Sequence, residues 1–552
     1  MSRDCVPEID WISQSQFFGA TSGLSTLPRR DRDESVSGFS LAIMRNHPVE
    51  ITGRLIERFS RYLGLKVDVQ LSDYDDTFAF GAALCECDAV LVWPDWSRIP
   101  DDSLLGVIEN IKVLRESAKY LVVVAPDAKQ GEESSGSVRN ELLRAANLSI
   151  YPALGGVGVS RRNHPIAVLS GSEIPFEHHI SFARDIAVGW VGSIVLPPLK
   201  IIVVDLDNTL YSGVLGEDGF AGIRFDHDHL QLLGVLDSLR AKGVLVCVST
   251  RNDPRDLEVL HEVWPSEGFA LKDAALIRST WDDKGDVIAS LISDFSTEPE
   301  SVIFLDDNPG ELANAVSKNP GLWPVWADSP VAAMEILVTQ RHRISSPSDT
   351  TGGARVSDAR ATAMRSKIMG SAQSLADLHV RLRTTITTRV ADHPDRQRIT
   401  DIFLRTNQFN LALKRMDDSE VETALTDPCR DVVVASVSDR LSDSGVIAAM
   451  ALTRTAEVLT VDEMAISCRV LGRGLETVII SEMLSLVSGG YTTVKFTATE
   501  GPRNSPALKW LENFTSPENL NCADVEIQAV FDAGREIRDS VEVVNDTSRR
   551  PR

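Results

Sequence analysis

Two aspartates that directly follow an apolar run are the residues of this sequence whose types and spacing most clearly suggest chemistry. The run IIVV (201–204) leads into Asp205 and Asp207, and Thr209 follows. Alternation along a strand places Asp205 and Asp207 on the same side, where two close carboxylates repel each other unless a cation lies between them. Open α/β sheets bind ligands at the carboxyl ends of their strands. The pair therefore predicts a hard-cation site for Mg²⁺.

Three later segments supply side chains of complementary chemistry. The run VLVCV is followed by Ser249 and Thr250, whose hydroxyls suit a phosphoryl oxygen. The segment WDDKG supplies Lys284, and unit charges about 4 Å apart interact by roughly 4 kcal/mol at an effective dielectric of 20. The run IFL is followed by Asp306 and Asp307, which complete an acidic cation site. Acidic residues after a single strand are often only turn or cap residues, but four such segments in this order favour one phosphate and metal site.

This ordered set resembles the haloacid dehalogenase (HAD) superfamily of phosphotransferases. The resemblance implies that Asp205 is the nucleophile that takes the phosphoryl group and that Asp207 is the general acid and base. It also implies that Thr250, with Ser249 as the neighbouring alternative, and Lys284 hold the phosphate. A covalent phospho-aspartate fits a carboxylate nucleophile.

The same resemblance implies a magnesium cofactor. Asp306 would bind Mg²⁺ with help from the Asp205 carboxylate and the Asp207 carbonyl, and Asp307 would support the site. Such an arrangement suits Mg²⁺, which takes oxygen ligands and keeps several of its waters.

The spacing of these motifs leaves no room for a large cap domain. From Asp205 to Thr250 the distance is 45 residues, and from Thr250 to Lys284 it is 34. The helices and strands of the sheet itself use these lengths. The predicted site is therefore capless and open, which suits a large substrate or a lid supplied by another domain or a partner.

A second group of candidate residues lies in the C-terminal third of the chain. The segment ISCRVLGRGLETVIISEML places Arg469, Gly472 and Gly474 in an R-x-x-G-x-G pattern between a strand-like run and a helix. Glycines let backbone N–H groups approach an anion, and a helix N-terminus adds positive potential. The pattern resembles the pyrophosphate loop of GNAT-type N-acyltransferases, and NSPALKWLENF (504–514) resembles their late helix, which also contacts the thioester arm. A bare turn before a helix is the alternative interpretation of the glycines.

Cys468 is the candidate for a covalent acyl relay. It lies directly before Arg469, near a helix N-terminus that lowers the pKa of a thiol. A thiolate attacks acyl phosphates and exchanges between thioesters. Cys247, three residues before Thr250, is the second candidate, although its apolar strand favours a packed core thiol. Core packing is also the alternative for Cys468.

The motifs in combination narrow the resemblance. The segments RTNQFNLALKR (405–415) and SDRLSDSGVIAAM (438–450) precede the glycine loop. With DLDNTLYSGVLGEDG, STRND, LDDNP and SCRVLGRG, they resemble the FkbH-like family of HAD-type proteins over roughly residues 37–545. Thr209 and Asn252, which lie within these motifs, are further predicted substrate-binding residues.

Two departures from the family pattern bear on the substrate. Residues 211–213 read Tyr-Ser-Gly where the resemblance predicts Trp-Gly-Gly, and residues 249–251 read Ser-Thr-Arg where it predicts Cys-Ser-Lys. These changes leave the phosphatase chemistry intact and bear on the identity of the acyl group.

The resemblance implies a bifunctional enzyme. Such an enzyme would dephosphorylate a glyceryl phosphate such as 1,3-bisphosphoglycerate and load the glyceryl unit onto the phosphopantetheine arm of an acyl carrier protein, in polyketide or related secondary-metabolite biosynthesis. The expected partners are that carrier protein and the phosphorylated three-carbon substrate. The alternatives are a simple small-molecule phosphatase with a vestigial GNAT-like domain, and a non-catalytic carrier-protein assembly factor.

The elements that must position these residues alternate between strand-like and helix-like segments, which predicts parallel sheets flanked by helices. The expected fold class is multidomain α/β: a capless HAD-type, Rossmann-like sheet flanked by an SGNH-like α/β domain and a GNAT-like α+β domain. The first domain has IMRNHP where a Gly-Asp-Ser nucleophile block would stand, so we interpret it as a degenerate structural or docking domain. The predicted boundaries are a flexible tail at 1–37, the SGNH-like domain at 38–196, the HAD-like domain at 197–342, a linker at 343–374, the GNAT-like domain at 375–545 and a tail at 546–552.

Composition excludes several classes of protein. The chain has 552 residues, of which 43% are hydrophobic and 24% charged, as in ordinary globular proteins. Its net charge of −23 argues against a nucleic-acid-coating protein. The longest apolar stretch, at 186–196, is too short to span a bilayer. Seven scattered cysteines form no disulfide framework. We therefore predict a cytoplasmic protein without nucleic-acid or membrane partners.

Overall fold

A computed structural model describes most of the chain. The described residues are 8–19, 27, 38–79, 87–124, 141–143, 150–151, 176–295, 297–344, 361–362, 364–365, 368–455, 458–467, 469–501 and 504–546. Cys468 and residues 345–360 of the predicted linker lie outside this set. The strands of the described residues form three β-sheets.

The first sheet is parallel and has five strands. Its strands are β1 (Gly38–Arg45), β2 (Lys66–Tyr74), β3 (Ala89–Trp93), β4 (Leu121–Val124) and β5 (Ile150–Tyr151). Their spatial order is β2-β1-β3-β4-β5. The α-helices of this part are Glu50–Phe59, Leu104–Ser117 and Phe176–Arg184, the last of which continues through a π-helical turn, Asp185–Val191, into Gly192–Val195. Every residue of β3 is buried because this strand is central in the sheet.

The middle sheet is also parallel. Its strands are β6 (Ile201–Val204), β7 (Leu245–Thr250), β8 (Leu276–Ser279), β9 (Val302–Asp306) and β10 (Trp323–Trp326). Their order is β10-β9-β6-β7-β8, which makes β6 the central strand. The α-helices are Leu215–Gly222, His227–Ala241, Pro254–Val263, Lys284–Asp294, Pro309–Lys318 and Pro330–Thr339. Because all pairs are parallel, the carboxyl ends of β6, β7 and β9 meet at one edge.

The third sheet is mixed and has seven strands. They are β11 (Thr385–Val390), β12 (Arg430–Ser438), β13 (Asp443–Arg454), β14 (Leu459–Ile466), β15 (Thr493–Phe496), β16 (Ala523–Glu526) and β17 (Glu542–Asp546). Their order is β16-β15-β14-β13-β12-β11-β17, with only the β14–β15 and β11–β17 pairs parallel. The α-helices are Leu375–Leu382, Arg396–Arg405, Asp418–Thr426, Glu476–Val487, Ser505–Glu512 and Ile527–Arg538.

The structure differs from the sequence prediction near the N-terminus. Residues 8–19 belong to the segment predicted as a flexible tail, yet they include the short helix Gln14–Phe17. The Gln14 amide donates to the carbonyl oxygen of Trp326 at 2.6 Å and accepts from the Trp326 backbone N–H at 3.0 Å. Phe17 is fully buried in the apolar core that the first two sheets share. These long-range contacts order a segment whose local sequence has no period.

The multidomain α/β fold class is confirmed by these sheets and helices. The described part of the chain contains no helix that combines the length and the apolar composition needed to cross a membrane.

Candidate active site

Asp205 lies directly after β6, at the carboxyl edge of the middle sheet. All four residues of β6 are buried, and the Asp205 N–H donates to the Leu305 carbonyl at 2.9 Å, which extends the pairing with β9 beyond the strand end. The Asp205 side chain remains only about 9% exposed. The central strand therefore delivers a buried carboxylate to the edge where β7 and β9 also end.

Lys284 joins this carboxylate to a second one. It is the first residue of the helix Lys284–Asp294, whose N-cap is Asp283. Its Nζ lies 2.9 Å from Asp205 Oδ1 and 2.6 Å from Asp306 Oδ2. Burial raises the pKa of Asp205 to about 7, although the lysine opposes this shift. Burial alone would lower the pKa of Lys284, but the two carboxylates raise it above its ordinary value.

The donor set fits a magnesium ion. Asp205, Asp306 and Asp307 each offer one carboxylate oxygen, and these oxygens lie within 4.8 Å of one another. Burial and the neighbouring Asp306 raise the pKa of Asp307. Oxygen-only donors suit Mg²⁺, and a divalent cation would relieve the repulsion between the three carboxylates. The residues present therefore fit the ion that the sequence predicts.

The carboxylate of Asp207 lies outside this cluster and is held by different partners. Its Oδ1 accepts a hydrogen bond from the Tyr211 hydroxyl at 2.6 Å and from the Leu215 N–H at 3.0 Å. Asp207 is not among the three carboxylates grouped at the candidate metal site, and the ligand that the resemblance implies from it is its backbone carbonyl. Because the two aspartates have different partners, Asp205 can act as the nucleophile while Asp207 carries the proton.

The predicted phosphate-binding hydroxyls lie at the end of β7 and beside it. Ser249 and Thr250 are the last two residues of β7 and are buried. Thr250 Oγ1 accepts from the Asn252 side-chain amide at 3.0 Å, and Thr209 Oγ1 accepts from the Asp307 N–H at 3.1 Å. The structure thus brings one set of predicted residues to a single sheet edge: Asp205, Asp207, Thr209, Ser249, Thr250, Asn252, Lys284, Asp306 and Asp307.

The glycine loop of the third domain precedes the helix Glu476–Val487, as predicted. Gly472 and Gly474 have φ values of 77° and 70°, which favour glycine. A Cβ at Gly474 would also lie 2.8 Å from Leu375 Cδ1. The Gly472 N–H donates to Glu476 Oε1 at 2.9 Å, so the protein's own carboxylate already uses the first donor of the loop. Burial raises the pKa of Glu476.

Arg469 and Gly472 line a cavity of about 1270 Å³. Trp510, from the helix Ser505–Glu512, also lines it, as do residues 197–201, which lead into and begin β6. Asp205 and Lys284 do not line this cavity, because they lie at the opposite, carboxyl end of the middle sheet. The two groups of predicted site residues therefore occupy different places.

Comparison with known proteins finds similarity to solved structures. No protein-family model matches the chain, and no curated protein matches it. Solved structures resemble parts of it, among them HAD-superfamily phosphatases and acyltransferases. The N-terminal part of protein BF1531 from Bacteroides fragilis, which contains a phosphatase domain complexed with Mg, is 16% identical over 56% of this chain and 95% of that one, with a TM-score of 0.42.

Two further likenesses cover smaller parts. A Legionella pneumophila protein described as a hydrolase of HAD subfamily III A is 13% identical over 29% of this chain and 91% of its own, with a TM-score of 0.21. A cAMP-binding acyltransferase from Mycobacterium smegmatis is 14% identical over 28% of this chain and 52% of its own, with a TM-score of 0.17. These values are too low for the activities of those proteins to be transferred to this chain.

Sequence reasoning missed two residues at these sites. In the sequence analysis Tyr211 was noted only as a departure from a family pattern. It lies four residues after Asp207 and its hydroxyl donates a hydrogen bond to that carboxylate. Glu476 was predicted only as a helix residue, although its carboxylate accepts a hydrogen bond from the Gly472 N–H of the glycine loop. An acidic residue four positions after a loop glycine is the signal that would have pointed to the second contact.

Proposed function

We propose that this protein is a Mg²⁺-dependent phosphatase or phosphotransferase of the HAD type. The observation that carries the proposal is the buried Lys284 ammonium between Asp205 and Asp306, at the carboxyl edge of a parallel sheet. Such an edge is where open α/β sheets bind ligands. A buried lysine beside three carboxylates and two strand-end hydroxyls matches the charge pattern that a phosphoryl group and a divalent cation require.

The chemistry follows from the positions of these side chains. An Asp205 oxygen attacks phosphorus, the bond from phosphorus to the leaving oxygen breaks, and Asp207 gives its proton to that oxygen. A water then attacks the phosphorus of the phospho-aspartate, Asp207 takes the proton of the water, and the bond to Asp205 breaks. Lys284 and Thr250 hold phosphoryl oxygens throughout. A bound Mg²⁺ would supply neutralising charge for the transferred group.

For the third domain we propose acyl transfer to the phosphopantetheine thiol of an acyl carrier protein. In this proposal the phosphorylated three-carbon substrate is 1,3-bisphosphoglycerate, and the loaded unit is glyceryl, as in polyketide and related pathways. The glycine loop and the helix Ser505–Glu512 support it, since both line one cavity. Glu476 must release the Gly472 N–H before an anion can take that donor. The relay through Cys468 stays a prediction, because this residue lies outside the described part of the chain.

The arginines of the third domain narrow the surface that an acidic carrier could use. Arg381, Arg389 and Arg396 form ion pairs with carboxylates of their own domain. Arg469 and Arg473 line the cavity beside the glycine loop, and Arg473 also lies 3.9 Å from the Asp439 carboxylate. We therefore propose that this pair meets the phosphate of the arm, and we expect Arg473→Glu to weaken carrier binding in a salt-dependent way.

Phosphate release tests the first half of the proposal. The purified chain should release phosphate from acetyl phosphate with Mg²⁺ and should lose this activity on chelation. Asp205→Asn keeps the shape of the side chain but removes the nucleophilic charge, so turnover should fall by roughly three orders of magnitude or more. Asp237→Asn, on the helix His227–Ala241 and paired with Arg240, is the matched control and should retain activity. Normal turnover in Asp205→Asn would show that Asp205 is not the nucleophile.

Carrier loading tests the second half. The chain is incubated with Mg²⁺, 1,3-bisphosphoglycerate and a carrier protein that bears its phosphopantetheine arm, and the intact mass of the carrier is measured. A glyceryl thioester supports acyl transfer. Phosphate release without any adduct favours the simple phosphatase, and neither product favours a non-catalytic assembly factor. Cys468→Ala then separates a thioester relay from direct transfer, since only the relay requires that thiol.

A further inference from the structure

We propose that Tyr211 is a positioning residue for proton transfer by Asp207, an inference that rests on the phosphatase function proposed above. The Tyr211 hydroxyl lies 2.6 Å from Asp207 Oδ1, and the Leu215 N–H lies 3.0 Å from the same oxygen. A carboxylate accepts hydrogen bonds from both donors. Because both bind Oδ1, the transferred proton is carried by Oδ2.

A tight turn returns Tyr211 to Asp207. Asn208 adopts a left-handed φ of 54° and Gly213 a φ of 105°. The Asn208 side chain accepts from the Gly213 N–H at 2.9 Å, and the Asn208 N–H donates to the Gly213 carbonyl at 3.2 Å. Asn is one of the few residues that adopt the left-handed region with little cost. The turn therefore fixes the backbone positions of both the hydroxyl donor and its acceptor.

Aromatic packing fixes the ring that carries the hydroxyl. Tyr211 is fully buried, and its ring centroid lies 5.5 Å from that of Phe225 and 6.3 Å from that of Trp264. Phe225 and Trp264 also contact each other edge to face, at 5.1 Å. The ring cannot swing away without moving this cluster. Asp207 Oδ1 also accepts the Leu215 N–H, so this oxygen is an acceptor and the Tyr211 hydroxyl is the donor.

Asn252 lies close to both this pair and the phosphate-binding strand end. Its side-chain amide donates to Thr250 Oγ1 at 3.0 Å and lies near the Tyr211 hydroxyl. Thr250 and Asn252 thus lie beside the hydrogen-bonded pair of Tyr211 and Asp207. The residue predicted to hold the phosphate and the residue that gives the proton are therefore near each other, and each is held by a hydrogen-bond partner of its own.

The proposed role has a distinct kinetic consequence. In the first step the bond from Asp205 to phosphorus forms, the bond to the leaving oxygen breaks, and the proton on Asp207 passes to that oxygen. Phenolate is a poor leaving group and needs this proton, whereas p-nitrophenolate leaves without it. Loss of the Tyr211 hydroxyl should therefore slow phenyl phosphate more than p-nitrophenyl phosphate.

Tyr211→Phe tests this expectation, because it removes the hydroxyl and keeps the packed ring. We expect kcat for phenyl phosphate to fall at least about tenfold more than kcat for p-nitrophenyl phosphate, with the KM of each substrate nearly unchanged. Tyr62→Phe is the matched control, since Tyr62 is also buried and its hydroxyl accepts from Trp323 Nε1 at 3.3 Å, away from this site. That control should keep the kinetics of the unmodified chain on both substrates.

Two further variants separate positioning from general damage. Asn208→Gly keeps the Tyr211 side chain but loosens the turn that positions it. This variant should therefore show the same preferential loss of activity on phenyl phosphate. Asp207→Asn cannot transfer the proton, so adding Tyr211→Phe to it should cause no further loss. Thermal unfolding of Tyr211→Phe should match that of Tyr62→Phe to within a few degrees.

The outcomes distinguish this inference from the proposed function. Equal losses on the two substrates, or additive losses in the double variant, would overturn the role of Tyr211 while leaving the phosphatase intact. Absence of Mg²⁺-dependent turnover in the unmodified chain would overturn the proposed function, and the role of Tyr211 with it.

Discussion

At the scale of single residues, the central feature is a lysine that is buried with opposite charges. Lys284 is about 7% exposed and contacts Asp205 and Asp306, which are themselves buried. Removing one partner from a buried ionic group leaves uncompensated charge and costs about 3–5 kcal/mol, far more than an exposed pair contributes. The same ammonium that would bind phosphate therefore also stabilises the acidic edge of the sheet.

Lys284→Met should lower the free energy of unfolding by about 3–5 kcal/mol in a buffer without divalent cations. Added Mg²⁺ should restore more stability to this variant than to the unmodified chain, because the cation replaces the lost positive charge. Denaturant unfolding with and without Mg²⁺ measures both effects. The matched control is Lys318→Met, which removes the same charge from the half-exposed pairs with Asp283 and Asp286 and should cost less than about 1 kcal/mol. Equal losses in the two variants would contradict this account.

At the scale of elements, the third sheet contains a gap that the chain itself closes. The pairing of β14 with β15 stops at Val461 and Phe496. Beyond that point, the Ile466 N–H donates to the Phe409 carbonyl at 2.9 Å, and the Thr499 N–H donates to the Leu411 carbonyl at 2.9 Å. The segment 409–411 thus lies between the diverging strands and satisfies their backbone groups.

A buried acid on β14 supports the residues that follow this segment. Glu463 Oε2 accepts from the Arg415 N–H at 2.8 Å, and Arg415 has a left-handed φ of 54°. Glu463 is fully buried, and its Oε1 has no hydrogen-bond partner. Burial raises the pKa of Glu463 to about 7. Burial of this carboxyl group therefore couples its protonation to the stability of the domain.

The stability of the third domain should fall between pH 5 and pH 8 because of Glu463. Its folded pKa lies above the unfolded value of about 4.3, so the folded state binds the proton more tightly. This contribution is fully present below the unfolded pKa and is lost as the pH rises through about 7. Glu463→Gln should remove up to about 3 kcal/mol of the pH dependence and stabilise the domain at pH 8.

Urea unfolding at several pH values measures this effect. Glu536→Gln is the control, since Glu536 is exposed on the helix Ile527–Arg538 of the same domain and carries the same charge. An unchanged pH profile in Glu463→Gln would show that this carboxyl group is not responsible.

At the scale of the whole molecule, the first two domains share one apolar core. Trp323 of β10 is buried against Tyr62, which follows the first helix of the first domain, with ring centroids 6.0 Å apart. The Glu335 carboxylate pairs with Arg184 at 2.7 Å across the same boundary. The core clusters of the third domain contain no residue of the other two, within the part of the chain that the structure describes. We therefore expect the first two domains to unfold together and the third to unfold by itself.

Trp323→Ala tests this expectation by calorimetry. A buried tryptophan replaced by alanine costs about 3–5 kcal/mol, and we expect the loss to shift a single transition that includes both the first and the middle domain. Trp510→Ala, which opens a similar cavity beside Phe496 and Phe514, should shift only the unfolding transition of the third domain. A thermogram in which the first and middle domains melt separately would contradict the shared core.

Much of the candidate site could be predicted from chain order alone. Asp205, Thr250 and Asp306 each follow an apolar run, and parallel strands bring their carboxyl ends to one edge whatever the details of packing. The α/β class followed from the same alternation of strands and helices. The glycine loop before a helix could also be predicted from the sequence, because the left-handed φ values that favour glycine depend on local backbone geometry.

The contacts of Tyr211, Glu476 and the N-terminal helix Gln14–Phe17 were decided only by the tertiary structure. Each joins groups whose distance depends on how a turn closes or on which surface packs nearby: Tyr211 returns to Asp207 through a left-handed Asn208, and Gln14 meets a strand edge 312 residues further along the chain. Local patterns report periodicity and propensity, which are properties of neighbouring residues. Hydrogen bonds across turns and cores depend on long-range geometry, which no short pattern in the sequence contains.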